Sequence, residues 1–113
     1  MQVISIYMSD ARLLIELSNW QEKLQLQHYQ IVCQRIRTHQ VCDNSDKRGH
    51  EFVGICTDHN SFSACLYHTR KLHIDDLVHE LLHVKYPLWS EKQVNDETER
   101  ILKEKEVRDS EIL

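Results

Sequence analysis

The sequence predicts an α+β domain: an N-terminal backing helix, a small sheet of three or four strands, then two helices that turn back on one another. Three observations predict it. Leu13, Leu17, Trp20 and Leu24 recur at helical spacing near the N-terminus. Three runs rich in β-formers follow between residues 29 and 69. Two further helical segments then flank the single proline, Pro87. At 113 residues the chain has the length of one domain with a modest core.

The elements follow in order. Residues 2–7 read either as a short strand or as the lead-in to a helix. Ser9 is suited to cap a helix, with Asp10 in the first turn where the helix dipole favours a negative charge. The apolar face that follows predicts a helix over 10–28. Residues 29–36 predict a strand, and the polar stretch around Asp43-Asn44-Ser45-Asp46 a loop. Residues 51–56 and 62–69 predict two more strands, joined as a hairpin through Thr57–Ser61. Asp75 and Asp76 open a helix over 75–86, which Pro87 ends. Ser90 and Gln93 have the spacing of a capping box, so a third helix is expected from 91 to about 105. The charged tail at 103–113 is expected to fray.

Composition narrows the function. The net charge is −4 and the pI about 6.0, without the basic stripe of a nucleic-acid binder. Arg35, Arg37, Lys47 and Arg48 read as a solvated loop. The apolar runs are too short to cross a bilayer. The N-terminus lacks the pattern of a signal peptide, so a cytoplasmic protein is expected. Cys33, Cys42, Cys56 and Cys65 form no CxxC pair. They read either as reduced small residues of a sheet or as one or two disulfides tying it.

Residues 79–83, His-Glu-Leu-Leu-His, carry the chemistry. Histidines four apart on a helix share one face and reach one zinc ion; the intervening glutamate lies where it accepts a proton from water. With 8 histidines in the chain, chance yields the pattern about 0.05 times, so context must support it. On a helical wheel with His79 at zero, His83 falls near about 40°, Asp76 about 60° and Glu80 about 100°. Leu77, Val78, Leu81, Leu82 and Val84 occupy the other side. The bland alternative is a helix with two incidental surface histidines. Zinc needs a third protein ligand, which the last helix can supply. Glu97, beside Ile101 on the side marked by Val94 and Thr98, is the first choice. Glu91, at the start of that helix, is the second.

His79-Glu80-Leu81-Leu82-His83, followed by Tyr86-Pro87, Ser90-Glu91 and Val94 through Glu97-Thr98, resembles the minigluzincins. These are compact zinc metallopeptidase domains related to the catalytic cores of larger gluzincins. The resemblance is close over 74–102 and only architectural over 10–70. It implies one Zn2+ per chain, an active-site helix and an antiparallel "glutamate helix" bearing the third ligand. It also implies that Phe62–Thr69 forms the cleft's upper rim and pairs with an extended substrate, and that part of 103–113 lies in the cleft of a latent enzyme.

The reaction expected is hydrolysis of a peptide bond in a peptide or unfolded protein, with Glu80 as general base. Tyr86, Tyr67, His68 and His59 are candidates for the oxyanion or substrate contact. The protein is expected as a monomer or small homo-oligomer, without nucleic-acid or membrane partners. Two rivals stand beside the peptidase: a metal-stapled domain without catalysis, and a metal-free interaction module in which Trp20 and Trp89 are anchors.

Overall fold

The computed structural model describes residues 7–41 and 51–111. The elements are α1 (Asp10–Lys23), β1 (Gln30–Arg35), a 3-10 turn (Thr38–Gln40), β2 (Val53–Asp58), β3 (Ser63–His68), α2 (Ile74–Lys85) and α3 (Glu91–Glu111). The predicted α+β order is the observed one. Residues 2–6 and Cys42 lie outside the described residues.

Ser9 caps α1 by accepting from the Arg12 N–H, and Leu13, Leu17 and Trp20 are buried along its inner face. The helix stops five residues before the expected end. Leu26 N–H donates to Gln21 C=O and Gln25 N–H to Glu22 C=O, while Gln25 takes φ 61. This is a Schellman ending with glutamine in the left-handed position usually held by glycine. The Gln21 side chain reinforces it by donating to the carbonyls of Leu26 and Tyr29.

The sheet is mixed, in the order β1-β3-β2. β1 runs parallel to β3, with Cys33 opposite Leu66. β2 and β3 form the expected hairpin, closed between Asp58 and Ser63. Asp58 Oδ1 accepts from Asn60 N–H at 3.0 Å, and Phe62 adopts φ 53 to complete the reversal. In β2 a Cβ at Gly54 would come within 2.5 Å of Phe52 Cζ, so glycine lets that ring lie over the strand.

Alternation along β3 turns Ala64, Leu66 and His68 inward. Ala64 and Leu66 meet Trp20 and Leu24, and Leu77, Val78, Leu81 and Leu82 of α2, in one apolar core. α2 packs against β2, α1 and α3. Val94 and Thr98 are buried on the inner side of α3, as the sequence predicts.

Two expectations are corrected. β3, expected to form an open rim for substrate, is the central strand with both edges paired; the edge strand beside α2 is β2. The tail expected to fray continues α3 as helix to Glu111, which carries that residue about 30 Å along the axis from Glu91 and away from the histidines. Cys33, Cys56 and Cys65 are free thiols, in keeping with the first of the two readings given for them.

Candidate metal centre

α2 is held at its start by a polar network. Asp76 accepts from His73 N–H at 2.9 Å and takes a two-point pair with Arg70 at 2.7 and 3.0 Å. Burial works to raise the Asp76 carboxyl, but those hydrogen bonds outweigh it and hold the group below the ordinary carboxylate range. At the other end Tyr86 N–H donates to Leu82 C=O, and the rings of Tyr86 and Trp89 stack at 3.8 Å. The chain then reverses. Ser90 and Gln93 make the predicted capping box, each accepting from the other's backbone N–H, and α3 begins at Glu91 beside the end of α2.

The reversal brings three side chains together. His79 Nε2 and His83 Nε2 lie 3.2 Å apart. Glu91 places one oxygen 3.1 Å from His79 Nε2 and the other 2.8 Å from His83 Nε2. These three residues are the group of potential metal ligands found among the described residues. The spacing suits a shared ion: bonds of about 2.0–2.1 Å in tetrahedral geometry separate ligand atoms by roughly 3.3 Å. Two imidazole nitrogens and a carboxylate are also the donor types that zinc takes. The set can therefore hold a divalent metal ion.

Glu80 stands next to this group, with Oε1 4.0 Å from His79 Nε2. The wheel placed it on the presented side of the helix, yet only 7% of the residue is exposed. That burial, followed by the negative charges of Glu91 and Asp76, pushes its carboxyl up to about 7. Glu91 is open by contrast, its side chain 70% exposed, so the cluster is accessible from that side.

Glu97, the first choice for a third ligand, is not brought to the histidines. It is paired with Arg100, one helical turn on, and lines a groove with Trp20, Leu82 and Tyr86. Glu91, the second choice, takes the position because the turn at 86–90 is tight enough to set the first residue of α3 against the last turn of α2.

The other expected contacts are dispersed. His68 is buried, its Nδ1 2.7 Å from Arg70 C=O. Tyr67 lies on the sheet face away from the core. His59 Nδ1 is 2.7 Å from the Tyr29 hydroxyl near the hairpin end. Tyr86 is stacked on Trp89. The Arg70–Asp76 pair escaped sequence reasoning; the one signal was an acidic residue three positions into a helix, the site of a cap acceptor.

No helix among the described residues is long and apolar enough to cross a membrane. Compared with known protein families, curated proteins and solved structures, the chain has no significant match to any of them.

Proposed function

We propose that this chain is a zinc-dependent peptidase of the minigluzincin kind, with His79, His83 and Glu91 as metal ligands and Glu80 as general base. The observation that carries this reading is the convergence of those three side chains with a buried glutamate at their edge. His79, His83 and Glu91 would hold the zinc ion, which would supply Lewis acidity and a water nucleophile at neutral pH.

The chain's own residues do the rest. Glu80 takes a proton from the attacking water and returns it to the leaving amine. A base is most effective when its pKa lies near the working pH; burial raises the Glu80 carboxyl, and a bound dication would draw it back down. Arg70 and Asp76 fix the start of α2 and so the direction in which the histidines project.

The substrate would lie along β2. Thr69 N–H donates to Phe52 C=O, which sets the alternation of the ladder. The backbone groups of Val53, Ile55 and Thr57 then point to the outer edge, which pairs with no strand among the described residues. An extended peptide can add there through main-chain hydrogen bonds.

The test is zinc content and peptidase activity measured together on wild type, His79→Ala and Glu80→Gln. One zinc per chain in wild type and Glu80→Gln, lost in His79→Ala, with turnover only in wild type, is the expected result. The tie that Glu91 makes between α2 and α3 also suits a purely structural metal. Zinc binding without turnover in any of the three proteins would favour that second reading. Absence of zinc from wild type would remove both.

A further inference from the structure

The sheet face turned away from the core carries a pair of thiols. Cys65 projects there with Ser63 and Tyr67, and the register sets Cys56 of β2 directly opposite it. The hydrogen bond from Thr69 N–H to Phe52 C=O makes 52/69 a hydrogen-bonded pair. By alternation 54/67 and 56/65 are hydrogen-bonded pairs too. The Cα atoms of such a pair lie about 5.5 Å apart, within the span that a disulfide bridges.

The surroundings are open. Cys56 is exposed and Cys65 half-buried. Their neighbour on β1 in the same row, Val32, is 53% exposed. Cys65 Sγ lies 3.9 Å from Gln34 Oε1, and the Cys65 thiol two residues away pushes the Tyr67 phenol up. Cys33 differs: it packs against the core, and burial pushes its thiol up to about 11, so it is poorly reactive.

We propose that Cys56 and Cys65 form a redox-active dithiol that exchanges with small-molecule disulfides of the glutathione type. The exposed Cys56 thiolate attacks the incoming disulfide, forms a mixed disulfide and releases one thiolate. Cys65 then attacks the Cys56 sulfur, closes the Cys56–Cys65 bond and releases the second. The two protons lost by the cysteines go to the two departing thiolates, so one disulfide is consumed and two thiols leave.

The closed form is readily reduced. Cβ atoms in a hydrogen-bonded pair sit up to about 5.5 Å apart, whereas a relaxed disulfide wants about 3.8 Å. Closing the bond therefore draws β2 against β3 and stores strain, which marks labile rather than structural disulfides. β2 can make that shift because it is an edge strand. This site is independent of the metal centre, which lies on α2 and α3.

The experiment treats the reduced full-length chain with excess oxidised glutathione, then acid-quenches it. Intact mass and a non-reducing digest follow. The expected product has lost two hydrogens and yields a cross-linked peptide pair containing Cys56 and Cys65; reduced glutathione reverses it. Cys65→Ser should stop at a mixed disulfide on Cys56, and Cys42→Ser should leave the cross-link intact. A persistent mixed disulfide in wild type, a link through Cys42 or Cys33, or no reaction would each overturn the proposal. The wild-type digest decides the matter even if a variant fails to fold.

Discussion

Glu91 Oε1 lies 2.8 Å from His83 Nε2, across the turn at 86–90 that reverses the chain between two helices. The same carboxylate reaches His79 with its other oxygen. One residue at the start of α3 thus meets both histidines of α2, and the candidate metal site depends on the geometry of a five-residue turn rather than on a residue deep in the helix.

The first prediction follows from that placement. Glu91→Ala should weaken zinc binding by more than the roughly 10–100-fold that loss of an outer-shell partner costs. His79→Ala should do the same. Glu97→Gln should leave affinity unchanged, since that carboxylate pairs with Arg100 instead. Competition with a chromogenic chelator at fixed pH measures all three. A loss confined to Glu97→Gln would return the third ligand to the middle of α3.

Much of this was legible in the chain. The helical faces, the hairpin, the Ser90–Gln93 cap and the pairing of His79 with His83 follow from local spacing, and local spacing is what a sequence records directly. The third member of the cluster is a different kind of fact. Choosing between Glu91 and Glu97 requires the angle and tightness of the turn at 86–90, which arise from Tyr86 stacking on Trp89 and from the packing of Val94. The placement of β3 in the middle of the sheet is likewise a property of long-range pairing. The end of α1 was missed because Gln25, not glycine, occupies the left-handed position, so the usual stop signal is absent.

That glutamine supplies a second prediction. An L-residue in the left-handed region is strained by roughly 1–2 kcal/mol, partly offset for glycine by its greater freedom when unfolded. Gln25 is exposed and has little packing to lose. Gln25→Gly should therefore stabilise the fold by about 0.5–1 kcal/mol, read as a higher denaturation midpoint with an unchanged denaturant slope. A lower midpoint would mean that the Gln25 side chain makes a contribution the backbone argument omits.

The start of α2 gives a third. Asp76 accepts from the N-cap N–H of His73 and holds Arg70 at two points. Asp76→Ala removes a cap and leaves Arg70 without that partner, which together should cost about 2 kcal/mol. Asp76→Asn keeps the cap acceptor and should lose less. Because the Asp76 carboxyl is held low, its contribution is fully present above the ordinary carboxylate pKa and is lost as the pH falls through the depressed one. Chemical denaturation at neutral pH ranks the variants; equal stabilities for both would show the Arg70 pair to be the dominant interaction.

The last prediction concerns Glu80 in the metal-free protein. Its carboxyl is raised from 4.5 to about 7, chiefly by burial. A raised pKa means that the folded state binds the proton more tightly than the unfolded chain does. Stability from this group is then fully present below about 4.5 and is lost as the pH rises through about 7. The shift corresponds to about 3 kcal/mol between the two limits. Glu80→Gln carries no titrating proton, so the variant should match wild type near pH 4.5 and exceed it by up to that amount at pH 8. Groups that titrate in both proteins cancel to first order in the difference. Zinc should reverse the sense of the comparison, because a dication beside Glu80 favours its charged form and offsets the burial that destabilises it. Denaturant unfolding of both proteins at pH 5 and pH 8, with chelator and with zinc, makes the measurement. A difference between the proteins that does not change with pH would mean that Glu80 is ionised in the metal-free fold, and that its burial is relieved by water or by movement of Glu91.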